Sequence, residues 1–289
     1  MQRLNYHELV EKLADINRHL CEMGLSQQNR MRTHQGNIAE LAHALDEGRL
    51  EQIAVDLNRE KRREILWSFV ESIEFVDALD ALRTQDCDVS KAILQRALQG
   101  PADVYLEDSN SNLGRNTMFE IAIAGRAAHA GLKPQLGGEP DVFFEFAGRR
   151  MFVQCKRVFS EAAVVKRIFE AAKQLTRDLR ASCDPRDCGL VAISVSKIIN
   201  RGDKMLVIPT ENDIAEVMRR EIDALIKKHE SACKEVRAPK IVGILLHIAT
   251  PSFIEKENLF TVAQSATIYH IPGKSDEALL RKLAKTIKM

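Results

Sequence analysis

The stretch from Gly137 to Val158, GGEPDVFFEFAGRRMFVQCKRV, restricts the possible fold more than any other part of the chain. Two apolar runs flank the segment Ala147–Arg150, which predicts a β-hairpin with strands at Asp141–Phe146 and Met151–Arg157. Because side chains alternate between the two faces of a strand, one face is wholly apolar. That face carries Val142, Phe144, Phe146, Met151, Val153 and Cys155. The hairpin must therefore cover a hydrophobic core.

The other face of the hairpin carries polar groups at one end. With Ala147–Arg150 as the turn, Asp141 lies opposite Lys156, and Phe143 lies opposite Gln154. A carboxylate, an amide and an ammonium then converge. A cross-strand ion pair at a sheet edge, worth roughly 0–1 kcal/mol when exposed, is one interpretation of this pattern. A metal site is the other.

The metal interpretation depends on the oxygen ligands that hard divalent cations such as Mg²⁺ prefer. Asp141 offers a carboxylate, Gln154 a side-chain carbonyl and Cys155 a backbone carbonyl. Glu120, in the apolar helical stretch MFEIAIAGR, is the predicted fourth member, because an acid in apolar surroundings is costly unless it is paired or bound to a metal. Glu139 is an alternative to it.

This set of groups fits phosphodiester hydrolysis. A bound metal ion lowers the pKa of a coordinated water and stabilises the charge that develops on a phosphate. Lys156 would orient that water or neutralise the same charge.

The chain is predicted to have two domains. Residues 1–99 show only helical periodicity, and the first apolar stripe consists of Leu9, Leu13, Ile16, Leu20 and Met23. Residues 100–116 are rich in Gly, Asn, Ser and Asp, which is typical of a linker. In residues 117–289 the element order α-β-β-α-β-α-β predicts an α/β domain, a mixed sheet flanked by helices.

The net charge differs between these parts. Residues 1–99 carry 13 Lys and Arg against 17 Asp and Glu, a net charge of −4, so that the rest of the chain carries +5. An acidic surface repels nucleic acid. Residues 1–99 are therefore predicted to mediate self-association or to bind a partner protein. The alternative is that these helices only cap the core of the second domain.

The composition also bears on the cellular compartment. No apolar run approaches the roughly 18 residues of a membrane span, and the first residues lack the apolar segment of a signal peptide. Six cysteines are scattered without a CxxC pair, so neither a structural zinc site nor a disulfide framework is indicated. We expect a cytoplasmic protein that does not bind membranes.

With these residues in place, the chain resembles the PD-(D/E)xK nuclease superfamily, and most closely its Mrr-like restriction endonucleases and Holliday-junction resolvases. The matching residues are Glu120, Pro140-Asp141 and Gln154-Cys155-Lys156. The resemblance covers roughly residues 115–249. It departs from many members at Gln154, where they have Asp or Glu, although the Mrr-like branch also has Gln.

The resemblance implies a restriction-endonuclease-like fold and a metal-dependent endonuclease. It implies Mg²⁺, with Mn²⁺ as a substitute, at Glu120, Asp141, Gln154 and Cys155, and catalysis by Glu120, Asp141, Gln154 and Lys156. Arg157 and the helical residues Lys173 and Gln174 would bind the substrate. The substrate would be double-stranded DNA, with RNA left open, and the role would be bacterial restriction or anti-phage defence. A catalytically silent protein that retains the fold for binding nucleic acid or as a scaffold is the alternative.

Overall fold

A computed structural model describes residues 6–25, 30–49, 58–107, 112–182, 184–200, 204–236, 238–257, 259–272 and 276–287. The N-terminal part is helical, as predicted. Its helices are α1 (Tyr6–Glu22), α2 (Arg30–Asp46), α3 (Arg59–Thr84) and α4 (Lys91–Ala97), followed by a 3₁₀ turn at Val104–Leu106. The predicted apolar stripe of α1 is buried, except that Met23 lies just beyond the helix and is only partly buried.

Helices and strands alternate in the remainder. The helices are α5 (Leu113–His129), α6 (Val164–Ala181), α7 (Ser196–Ile199), α8 (Glu211–Lys228), α9 (Glu230–Lys234) and α10 (Glu277–Thr286). The strands are β1 (Gln135–Leu136), β2 (Val142–Phe146), β3 (Arg149–Arg157), β4 (Cys188–Ser194), β5 (Leu206–Ile208), β6 (Ile241–Ile254) and β7 (Leu259–His270). Within the described ranges, no helix has both the length and the apolar character needed to span a bilayer.

These seven strands of the described residues form one mixed sheet. Six of them follow the order β1-β2-β3-β4-β6-β5, and β7 lies off this order. Strands β1 to β3 are antiparallel, and β3 pairs in parallel with β4 after the crossover through α6. Strand β7 pairs antiparallel with β6. Separate apolar cores cover the two faces of the sheet, one including α5 and the other including α6 and α8. The predicted class, a mixed sheet flanked by helices after a helical region, is confirmed.

The hairpin has a different register from the predicted one. Its turn consists of Ala147 and Gly148 alone, with φ angles of 50° and 72°, as in a two-residue type I′ turn. Val142 therefore pairs with Val153, and Phe143 with Phe152 instead of Gln154. Extending this register by one residue places Asp141 opposite Gln154, not Lys156. Because the shift is two residues, every side chain keeps its predicted face.

The N-terminal helices share a core with the sheet. Helix α3 crosses α5 so closely that a Cβ on Gly125 would lie 2.5 Å from the Cα of Ala78. The same core includes residues of α1, α3 and α5 together with Val142, Val153 and Cys155 of the hairpin. Independent folding of residues 1–99 and 117–289, which the linker at residues 100–116 implied, stays a prediction. Shared packing of this kind is expected of the alternative, in which the helices only cap the core of the second domain. Helix α5 also begins inside residues 100–116, of which residues 108–111 lie outside the described ones.

A buried group of charges lies at the contact between α2, α3 and α5. We call it the junction cluster: Arg30, His34, Glu71 and Arg115, whose side chains are at most 4 % exposed. The two carboxylate oxygens of Glu71 face Arg115 Nε on one side, and His34 Nε2 at 3.0 Å and Arg30 Nε at 3.1 Å on the other. Burial alone would raise the pKa of Glu71, but the charges of Arg115 and Arg30 and the hydrogen bond with His34 lower it well below its usual range. The cluster is therefore an ionised buried network joining the N-terminal helices to α5.

Candidate functional site

The structure brings Asp141, Gln154 and Lys156 together where β2 begins. Asp141 directly precedes β2, and its Oδ2 accepts hydrogen bonds from Gln154 Nε2 at 2.5 Å and from the Cys155 backbone N–H at 2.8 Å. Lys156 Nζ lies 4.0 Å from the same oxygen. The side chains of Asp141 and Lys156 are 21 % and 16 % exposed, so both are reachable from solvent yet largely desolvated. The predicted convergence on one face is present, with Gln154 as the direct neighbour of Asp141.

Glu120 extends from α5 toward this group. Burial raises its pKa to about 8, and the charge on Asp141 adds to this rise, whereas Arg96 and Lys156 oppose it. A desolvated acid whose pKa is raised further by a neighbouring carboxylate marks a place where a bound cation would relieve the repulsion. We call Glu120, Asp141, Gln154 and Lys156 the candidate site.

Glu139, the alternative to Glu120, extends in another direction. Its side chain is 71 % exposed and pairs with Arg177 of α6, with 2.7 Å between Oε1 and Nη2. An exposed, paired carboxylate holds a cation less well than a desolvated one. The structure therefore favours Glu120 as the second acid.

Cys155 contributes its backbone, not its thiol. The thiol is buried in the core shared with α5, and burial raises its pKa well above the usual range, so it stays protonated. The backbone N–H and C=O of a strand residue point to the same side. Since the N–H reaches Asp141, the Cys155 carbonyl is directed to the same region, beyond the first residue of β2.

The residues predicted to bind substrate lie in two places. Arg157 is buried on the opposite face of β3, with Nη2 3.9 Å from Glu107 Oε2, and its N–H donates to Asn116 Oδ1 at 3.3 Å. It lines a small cavity with Trp67 and Glu74 of α3 and is not part of the candidate site. On α6, Lys173 is exposed and Gln174 is half-buried, with its Oε1 buried and without a hydrogen bond to any described residue.

Two charged residues near the site were not predicted. Asp178 of α6 is buried, and burial raises its pKa, with the charges of Glu139 and Asp141 adding to the rise and Arg177 opposing it. The sequence pattern could have indicated Asp178, because it is an acid between Leu175 and Leu179, two inward-facing apolar residues of the same helix. Arg96 of α4 acts on Glu120 from the N-terminal helices, and no local pattern indicates it.

The donors at the candidate site fit a hard divalent cation. They are two carboxylates, the Gln154 amide oxygen and the Cys155 carbonyl, and oxygen ligands are what Mg²⁺ and Mn²⁺ prefer. The Gln154 amide directs its nitrogen at Asp141, so its oxygen would ligate after the amide turns over, an exchange of nearly isosteric atoms. Across the described residues, no cluster of three or more His, Cys, Asp or Glu side chains is placed to hold a metal, so such a site would depend on Gln154 and the backbone.

A second polar arrangement has the Ser-His-acid order of contacts that is typical of a hydrolase catalytic triad. His34 Nδ1 lies 2.7 Å from Ser68 Oγ, and His34 Nε2 lies 3.0 Å from Glu71 Oε2. Ser68 and His34 are both 0 % exposed, and Ser68 Oγ also accepts from Asn37 Nδ2 at 2.8 Å. No substrate can reach this serine, so the arrangement belongs to the buried packing of α2 on α3.

Comparisons with known proteins identify no relative: no protein-family model, no curated protein and no solved structure matches the chain.

Proposed function

We propose that the chain is a metal-dependent endonuclease that hydrolyses phosphodiester bonds, with a restriction-endonuclease-like fold and double-stranded DNA as its substrate. One observation carries the proposal. Two largely desolvated acids, Glu120 and Asp141, of which the second raises the pKa of the first, share a sheet end with an amide and an ammonium, Gln154 and Lys156. A cross-strand ion pair between Asp141 and Lys156 would not explain a second desolvated acid, Glu120, beside it.

The candidate site divides into a cation-binding part and a charge-neutralising part. Glu120, Asp141 and the carbonyls of Gln154 and Cys155 would hold Mg²⁺ or Mn²⁺, and the bound ion would acidify a water and stabilise the phosphate charge. Lys156 Nζ, 4.0 Å from Asp141 Oδ2, is placed to orient the attacking water or to neutralise the same charge. Lys173 and Gln174 would contact the substrate backbone from α6. Arg157 has no such role, because it is buried toward Glu107.

The biological setting follows from the resemblance to Mrr-like enzymes. We propose a cytoplasmic enzyme of bacterial restriction or anti-phage defence, with RNA as the competing substrate and with self-association or a partner protein at the N-terminal helices. Fold and setting are inferred here by analogy.

A catalytically silent nucleic-acid-binding protein is the second candidate. Gln154 brings no charge, and Glu120, with its pKa of about 8, is protonated at neutral pH. The resting site therefore has only one negative charge to attract a cation, which favours binding without catalysis.

Cleavage of supercoiled plasmid in Mg²⁺ or Mn²⁺, compared with EDTA, tests the proposal. Asp141→Ala and Lys156→Ala should each reduce nicking by about 10³-fold or more, since each removes a group that acts in the transition state. Glu145→Ala is the matched control, an exposed acid on the same face, four residues or about 13 Å along β2. Cleavage that persists in EDTA or in Asp141→Ala contradicts the nuclease. Metal-independent DNA binding without cleavage identifies the silent protein.

A further inference from the structure

Helix α4 of the N-terminal region lies beside the candidate site. It packs against α5, the helix of Glu120. Its Ile93 also touches the loop that leads to Asp141: a Cβ on Gly137 would lie 2.6 Å from Ile93 Cδ1, and Gly137 has a φ of +86°. The N-terminal helices therefore brace both elements from which the two acids extend.

Arg96 is the charged residue that α4 brings to this place. Its side chain is exposed, and it makes no hydrogen bond or ion pair with any residue that the structure describes. Arginines elsewhere near the site are paired: Arg177 with Glu139, and Arg157 with Glu107. Arg96 nonetheless lies close enough to Glu120 for its charge to lower the pKa of that acid, as Lys156 does from β3.

An exposed guanidinium close to Glu120, with no ion-pair partner among the described residues, stands out in a region that is acidic overall. Guanidinium groups bind phosphate oxygens in bidentate geometry and stay charged at any physiological pH. The position is also suitable, because Arg96 from α4 and Lys156 from β3 both act on Glu120 of the candidate site.

We propose that Arg96 binds a backbone phosphate of the nucleic acid, so that the N-terminal helices complete the substrate-binding face. This inference rests on the proposed nuclease function, and it deepens that function by assigning a substrate contact to a region outside the predicted nuclease domain. The N-terminal helices then have a part in DNA binding in addition to any protein partner.

Binding of a fluorescein-labelled 20-base-pair DNA duplex to the full-length protein, followed by anisotropy in EDTA across a range of salt concentrations, tests the proposal. Arg96→Ala should weaken binding by about 5- to 20-fold and reduce the slope of log K against log salt by about one, as expected for one lost phosphate contact. Arg96→Lys should keep the slope while losing part of the affinity, because it keeps the charge but not the bidentate geometry.

Arg219→Ala is the matched control. Arg219 is likewise exposed, on α8, which packs against β5, β6 and β7 away from α4. It should bind like the wild type. Equal affinity and equal slope for Arg96→Ala and the wild type would overturn the proposal, as would a wild type that binds no duplex at all.

Plasmid cleavage in Mg²⁺ on the same preparations separates this inference from the nuclease proposal. A wild type that binds DNA with an Arg96-dependent slope but does not cut supports the phosphate contact and contradicts the nuclease. A wild type that cuts while Arg96→Ala binds and cuts equally well contradicts only the phosphate contact.

Discussion

Helix α5 contributes to two groups of charged side chains whose surroundings differ. In the junction cluster, Glu71 is enclosed by Arg30, His34 and Arg115, and its pKa lies well below the usual range. At the candidate site, Glu120 and Asp141 lie together with Lys156 and a neutral amide, and the pKa of Glu120 rises to about 8. The two acids of α3 and α5 are both desolvated, yet one is compensated and the other is not.

The difference distinguishes a buried charge that stabilises the fold from one that is placed to bind a ligand. A paired, fully enclosed carboxylate such as Glu71 is costly to disturb, because removing it leaves buried cations behind. A desolvated acid such as Glu120, next to the charge of Asp141, reduces the stability of the free protein when it ionises, and such an arrangement is typical of places where a ligand supplies the missing charge.

Removal of residues 1–99 should abolish folding of the remainder. The fragment 100–289 would expose the apolar face of α5, including Gly125, which now lies against Ala78, and would leave Arg115 without its partner Glu71. We expect an insoluble product, scored by expression and size-exclusion chromatography, with solubility restored by co-expression of residues 1–99. A soluble fragment with a cooperative thermal transition would instead show two independent domains.

Glu71→Gln should destabilise the protein by about 3–5 kcal/mol, because the buried Arg30 and Arg115 lose their counter-charge. The free energy of unfolding in urea measures this. Glu60→Gln, an exposed acid on the same helix, should change stability by no more than about 0.5 kcal/mol. If the two variants were equally stable, the junction cluster would contribute nothing.

Glu120→Gln should have the opposite effect on the free energy of unfolding, because it should stabilise the protein above neutral pH. With a pKa of about 8 in the folded protein against 4.5 ordinarily, Glu120 holds a proton in the folded state where the unfolded state has released it. Wild-type stability therefore falls as the pH rises from about 4.5 to 8. A neutral Gln removes this loss, so the variant should exceed the wild type by about 1–3 kcal/mol at pH 9 and match it near pH 4.5. A variant less stable than the wild type at pH 9 would contradict the desolvation of Glu120.

Gln154→Leu should weaken Mg²⁺ binding by about tenfold, or about 1.4 kcal/mol, because it removes a predicted carbonyl ligand. Gln154→Glu, which restores a charge next to Asp141, should keep or tighten binding. Isothermal titration calorimetry with MgCl₂ measures both. Equal affinity of the Leu variant and the wild type would show that Gln154 serves Asp141 only as a hydrogen-bond donor.

Which side chains share a face could be predicted from the local sequence pattern. The period of the apolar residues in α1 and the alternation along β2 and β3 are local properties, and the structure keeps Asp141, Gln154 and Lys156 on one face as predicted. The alternation holds even though the register was wrong by two residues. That error arose because the turn is Ala147-Gly148, which lacks the Asn-Gly signature of a type I′ turn.

The neighbours of these residues depend instead on how distant elements pack together. Strand β7 went unpredicted because many of its residues are half-exposed and its partner β6 supplies its hydrogen bonds. Arg157 faces away from Lys156 through the alternation of β3, but its partner there, Glu107, comes from a segment far away in the sequence. Arg96 lies close enough to Glu120 to lower the pKa of that acid because α4 packs against α5. Such contacts join segments tens of residues apart, and they follow from the packing of whole elements, which no local period in the sequence encodes.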